Sequence, residues 1–186
     1  MASVEQFQAT LEDLYRTEGK AELIGGRIVR LMPTGYTPGL ISLRIGRSLD
    51  DYSEITGKGR GFADNVGFTV AELPSGRRSF SPDAAYYDGD PPRNKMRFIS
   101  GAPRFAVEIR SENDYGDAAE DQLAAKRGDY FTAGTLVVWD VDPLEECVRL
   151  YRREDPETPI VFRRGDAAHA EPAVPGWTVD VDWLLR

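Results

Sequence analysis

The chain has 186 residues, 41% of them hydrophobic, with a formal net charge of −8 and a single cysteine. This is enough apolar material for one ordinary core, and no stretch approaches the roughly 18–20 consecutive apolar residues of a spanning helix. One cysteine excludes an internal disulfide framework and a cysteine-based zinc site, and the acidic balance excludes nucleic-acid binding by bulk attraction, which rests on Lys and Arg neutralising phosphates.

The first residues carry no basic start followed by an apolar run, so no secretory signal is expected and the protein reads as cytoplasmic. Residues 3–16 are predicted as an amphipathic helix: Val4, Phe7, Leu11 and Leu14 follow helical spacing, Ser3 with Gln6 matches a capping box, and Gly19 ends it. Residues 22–31 predict a hairpin turning at Gly25-Gly26. Residues 33–39 are expected to be loop, and Ile41, Ile45, Leu49 and Tyr52 line one side of a second helix. Residues 56–61 read as a turn, residues 66–73 as a strand, and residues 80–87 as the next strand, with Pro82 near its start or on an edge. A polar loop follows over residues 88–103. The apolar run 105–109 predicts a buried central strand, residues 117–133 a helix, and residues 135–141 another buried strand. Residues 147–152 and 159–163 suggest a late hairpin, and residues 177–185 close the chain. The order implies an α/β fold in one domain over residues 1–186: a mixed sheet flanked by helices.

Two carboxylates and a lysine carry the chemistry. Glu108 interrupts an apolar strand, where a charge is costly unless it is paired or metal-bound. Strand alternation could turn it to solvent, or Arg110, two residues on, could pair with it. Asp83 opens a neighbouring strand, and carboxylates from adjacent strands can converge on one Mg²⁺, which takes one or two carboxylates and keeps several waters. Lys126 shares a helical stripe with Ala119, Leu123, Tyr130 and Ala133. It could snorkel to water or point inward to the sheet. Lys58/Arg60, Arg77/Arg78 and Arg93/Lys95/Arg97 are the local basic groups, either nucleic-acid contacts or solvated loops. His169, the lone histidine, has no Gly-x-Ser-x-Gly elbow to join. Residues 57–61 are glycine-rich without the Lys-Ser/Thr ending of a phosphate loop, so they read as a flexible turn. Trp139 reads as core, and Asp140 and Asp142 as a strand end.

As an ordered set, these segments resemble the Uma2 family, restriction-endonuclease-like proteins within the PD-(D/E)XK nuclease superfamily. Glu22-Leu23-Ile24-Gly25-Gly26 is similar to the family's hairpin, Ser81-Pro82-Asp83 to its Pro-Asp motif, and Ala102-Pro103 through Val107-Glu108 to Ser111 to its central strand. Lys126, Tyr130, Ala133 and Gly134 match its helix, residues 136–143 the strand after it, and residues 148–152 the next. The match covers residues 20–152. It implies a restriction-endonuclease-like core with an extra N-terminal hairpin and C-terminal strands. It further implies a Mg²⁺ site (Mn²⁺ as a substitute) from Asp83 and Glu108, with the Ile109 carbonyl as an extra ligand. Lys126 would replace the lysine usually found two residues after the glutamate, where this chain has Arg110. Glu22 is implied as a further acidic group, and Tyr130 lies on the same matched helix. No histidine occurs at the start of the second helix, where members often carry one. The expected activity is phosphodiester hydrolysis, with DNA as the foremost substrate. A homodimer would let two sites address two strands. The rival is a non-enzymatic interaction or nucleic-acid-binding protein on the same fold, with Glu108 paired to Arg110 and Lys126 snorkelling. No membrane partner is expected.

Overall fold

The computed structural model describes residues 8–186. A six-stranded mixed sheet has the order β11-β10-β9-β8-β6-β3. Its strands are β3 (Arg60–Ala63), β6 (Ala84–Tyr87), β8 (Phe105–Ile109), β9 (Val137–Asp142), β10 (Cys147–Arg152) and β11 (Asp155–Arg163). Within this sheet, only the neighbouring pair β8 and β9 runs parallel. Helix α3 (Asp117–Ala133) is therefore the crossover between them, and a crossover has to lie over one face of the sheet. Helix α2 (Tyr36–Thr56) covers the other face.

Strand alternation sorts the two faces. Phe105, Val107 and Ile109 of β8 pack in one core with Ile41, Ile45 and Leu49 of α2 and with Trp139. Ala106 packs in a second core with Tyr130 and Phe131 of α3, Phe68, Phe80 and Ala85. Glu108 has the parity of Ala106, so it belongs to the α3 face and not to solvent. α2 lies close on the sheet because Gly46 faces β3: a Cβ there would stand 2.7 Å from Ala63 Cβ.

Three smaller sheets surround this core. The hairpin of β1 (Ala21–Ile24) and β2 (Arg27–Arg30) is the one expected at Gly25-Gly26, both of which have positive φ. β4 (Phe68–Thr69) pairs with β5 (Ser79–Phe80) and β7 (Ile99–Ser100). β12 (Ala167–His169) pairs with β13 (Thr178–Asp180), followed by the short α4 (Val181–Leu184).

Several boundaries differ from expectation. Among the described residues the first helix is α1 (Leu11–Tyr15), which Thr10 caps through Asp13 in its own capping box; the expected Ser3–Gln6 cap lies outside the described residues. α2 starts at Tyr36, inside the expected loop, since Pro38 falls in its first turn where a missing N–H costs nothing. β3 lies where a turn was expected, as Gly57 and Gly59, both at positive φ, reverse the chain within a few residues. The expected strand over residues 80–87 is split at Ser81-Pro82-Asp83, because Pro82 cannot donate to a ladder. That break releases Asp83 from strand geometry.

Candidate active site

The Asp83 backbone N–H donates to the Val107 carbonyl at 2.9 Å, and its Oδ2 accepts from the Ile109 N–H at 2.8 Å. Asp83 thus straddles Glu108, gripping the β8 backbone on either side of it. In an extended residue the N–H and C=O face the same edge, so the Ile109 carbonyl is turned toward this edge as well. On the α3 face, Glu108 Oε2 accepts from Lys126 Nζ at 2.7 Å and Oε1 from the Tyr130 hydroxyl at 2.7 Å. The stripe of Lys126, Tyr130 and their neighbours does face the sheet, with the lysine side chain 17% exposed. Stacking on Phe80 at 4.2 Å fixes the Tyr130 ring.

Glu22, from β1, reaches the same place. It is 2% exposed, with Oε1 3.3 Å from Lys126 Nζ and accepting from the Ser81 N–H at 2.9 Å. Its other oxygen pairs with Arg77, whose Nε also donates to Asp129 at 2.8 Å. The fold therefore brings Asp83, Glu108, Ile109, Lys126, Tyr130 and Glu22 together.

Arg110 is not among them, so the alternative in which it pairs with Glu108 is not the arrangement found. Its guanidinium grips Asp140 at 2.6 and 2.8 Å and also binds Glu120, in the first turn of α3. Asp140 and Asp142 are correspondingly buried ion partners, not simply the end of a strand. Reading from sequence also missed three residues, Lys20, Ser42 and Asp64, and gave a fourth, Arg77, only as a nucleic-acid contact or solvated loop. Lys20 Nζ donates to Asp83 Oδ1 at 2.8 Å and to Asp64 Oδ1 at 2.6 Å. The Ser42 hydroxyl donates to the Asp83 carbonyl at 2.5 Å. Arg77 anchors Glu22. The signal available for them was position alone: Lys20 adjoins the Glu22 hairpin, and Ser42 neighbours the apolar stripe of α2. Of the other basic residues, Arg97 pairs with Glu12, while Lys58, Arg60, Arg93 and Lys95 stay exposed.

Burial pushes the Glu108 carboxyl up; Lys126 opposes this, while Asp83 and Glu22 add to it, and the net direction is upward. Burial acts the same way on Glu22, but there the charges of Lys126 and Arg77 prevail and hold it below the ordinary carboxylate value. Lys126 is raised, because Glu108 and Glu22 outweigh its burial. Five carboxylates (Glu22, Asp64, Asp83, Glu108, Asp129) are linked to three cations (Lys20, Arg77, Lys126), leaving two negative charges uncompensated. This donor set fits a hard divalent cation. Among the described residues no group of three or more His, Cys, Asp or Glu forms a ready metal cage. Asp83 and Glu108 are the two carboxylates available to a hard ion that takes one or two carboxylates and keeps its waters.

Glu22 yields a pH prediction. Its folded pKa lies below its unfolded one, so the unfolded chain binds more protons in acid, and stability is lost as pH falls through the carboxylate range. Acid unfolding of Glu22→Gln should consequently show a shallower loss than wild type between about pH 5 and 3. Parallel curves in a pH series of urea melts would show that Glu22 contributes none of the slope.

A family model described as "Uma2: Putative restriction endonuclease" matches residues 4–182. Among solved structures, the chain is similar to "a putative nuclease belonging to DUF820" from Anabaena variabilis. The TM-score is 0.71 at 21% identity, over 95% of this chain and 97% of that one, a likeness of fold. No curated protein matches the chain. Among the described residues, no helix is long and apolar enough to cross a membrane.

Proposed function

The chain belongs to the Uma2 family, and on that footing we propose that it is a metal-dependent nuclease hydrolysing phosphodiester bonds, with DNA as its substrate. Asp83, Glu108 and the Ile109 carbonyl would hold Mg²⁺, or Mn²⁺ in its place. When bound, the ion supplies Lewis acidity at a phosphoryl oxygen and lowers the pKa of a coordinated water. One observation carries the reading: the Asp83 carboxylate is fixed on the β8 backbone beside Glu108, and the Lys126 ammonium stands 2.7 Å from that glutamate.

The chain's own residues divide the remaining work. Lys126, kept charged by Glu108 and Glu22, orients the attacking water or donates to oxygens that gain charge in the transition state. Tyr130 donates to Glu108 Oε1 and so sets the carboxylate plane, as outer partners of metal ligands do. Glu22, itself buried, holds Lys126 from within the protein. Exposed Lys58, Arg60, Arg93 and Lys95 offer phosphate contacts that the acidic whole does not. Two copies of the chain would present one site to each strand.

The test is calorimetric titration of Mg²⁺ and Mn²⁺ into wild type and Asp83→Ala, with a plasmid-cleavage assay on the same samples. Wild type should bind one ion per chain and cut, and the variant should lose at least about tenfold in affinity. Absence of binding in wild type, or equal binding by the variant, would leave a non-enzymatic interaction protein as the better account.

A further inference from the structure

Both oxygens of Asp83 are already engaged, Oδ2 by the Ile109 N–H and Oδ1 by Lys20 Nζ. A cation can therefore use Oδ1 fully only by taking over the contact that Lys20 makes. Lys20 does not depend on that contact to stay in place. Its backbone carbonyl accepts from the Leu31 N–H at 2.9 Å, and its ammonium has a second anchor in Asp64 Oδ1 at 2.6 Å.

Asp64 is itself fixed without Lys20. Its Oδ2 accepts from the Thr34 hydroxyl at 2.9 Å, and its Oδ1 accepts from the Asn65 N–H at 2.6 Å. Its own N–H donates to Ser42 Oγ at 3.1 Å, and that same hydroxyl donates to the Asp83 carbonyl. Asp64 and Asp83 are thus both tied to one serine of α2, with the ammonium between them. Lys126 repeats the arrangement, bridging Glu108 and Glu22. Each lysine joins one member of the Asp83–Glu108 pair to one carboxylate outside it. An ammonium carries three donors, so it can surrender one carboxylate and keep the other.

We infer that Lys20 is a second positioning lysine of this site, a built-in cation that holds the place of the divalent ion at Asp83 and withdraws onto Asp64 when the ion arrives. The inference rests on the metal-site reading above. Its consequence runs against intuition: a basic residue in a nuclease site would weaken metal binding, and the retained charge would stand beside the substrate phosphate, held by Asp64.

The experiment measures Mn²⁺ affinity, by calorimetry and by electron paramagnetic resonance of the free ion, on Lys20→Met, Asp64→Asn and the double variant. Lys20→Gln serves as a second variant that keeps hydrogen bonding, should Lys20→Met fold poorly. Lys20→Met should bind Mn²⁺ on the order of tenfold more tightly than wild type. Asp64→Asn should bind more weakly, because Lys20 then has nowhere to withdraw to. In the double variant the Asp64→Asn loss should vanish, since Asp64 acts through Lys20. Unchanged or weaker binding in both Lys20→Met and Lys20→Gln, with Asp83→Ala still abolishing binding, would overturn this inference and leave the metal site standing. An undiminished Asp64→Asn loss in the double variant would overturn it as well, by making Asp64 a direct contributor. If neither wild type nor the Lys20 variants bind Mn²⁺, both this inference and the metal reading fall.

Discussion

On the proposed metal-site reading, Glu108→Gln is expected to lower Mg²⁺-dependent DNA cleavage by about a thousandfold or more while leaving the fold intact. The two parts of that expectation come from different neighbours. Gln keeps the shape of Glu and an oxygen that can still accept from the Tyr130 hydroxyl. Lys126 keeps an ion partner, because Glu22 lies 3.3 Å from its Nζ. Burial already pushes Glu108 toward its uncharged form, so removing the charge relieves a desolvation cost. Activity has no such substitute, since a neutral amide is a poor ligand for a hard dication. Single-turnover cleavage with saturating Mg²⁺, alongside a thermal melt, separates the two effects. Cleavage within tenfold of wild type would remove Glu108 from the metal site.

Arg110→Met should be strongly destabilising although it lies away from the site, costing about 3–5 kcal/mol. The Arg110 side chain is 5% exposed and stands between Asp140, Asp142 and Glu120. Asp140 and Asp142 are themselves 3% and 1% exposed, so the truncation strands buried carboxylates. Arg149 remains with Asp142 at 3.0 Å, which tempers the loss at that residue but not at Asp140, 4.0 Å away. Arg110 also ties β8 to the first turn of α3 through Glu120, and Lys126 rides on that helix. Urea unfolding measures the loss directly, and a change below about 1 kcal/mol would mean that the network contributes nothing net.

The two buried strands and the helix between them were legible because their signals were long and mutually consistent, whereas their parallel pairing was not read from the sequence. The run at 105–109 and the helix at 117–133 have the bounds expected. The helical stripe through Lys126 could be read from spacing even though a lysine interrupts it. Of the short strands, β4 keeps only Phe68–Thr69 of the strand expected over residues 66–73, β5 ends at Phe80, the first residue of the strand expected over 80–87, and β7 falls in the expected loop over 88–103. Two residues carry no periodicity, and such strands exist only because Phe68, Phe80 and Ile99 find a shared core. For the same reason the partners of charged residues escaped notice. Spacing places Arg110 beside Glu108 on one strand face, but it cannot show that β9 brings Asp140 into register with Glu108. Nor can it show that Lys20, Ser42 and Asp64, drawn from three separate segments, meet at Asp83.

The tryptophans offer an optical consequence of the two-faced sheet. Trp139 and Trp177 lie 5.2 Å apart in the core on the α2 side, with Trp183 packed against it. Their indoles bond to the His169 carbonyl and to Ser48, both away from the α3 face where Glu108 meets Lys126. Red-edge fluorescence from this chain should therefore follow folding and stay unchanged when the site near Glu108 is filled. One cuvette can then tell an emptied site from an unfolded protein, with no label and no engineered probe.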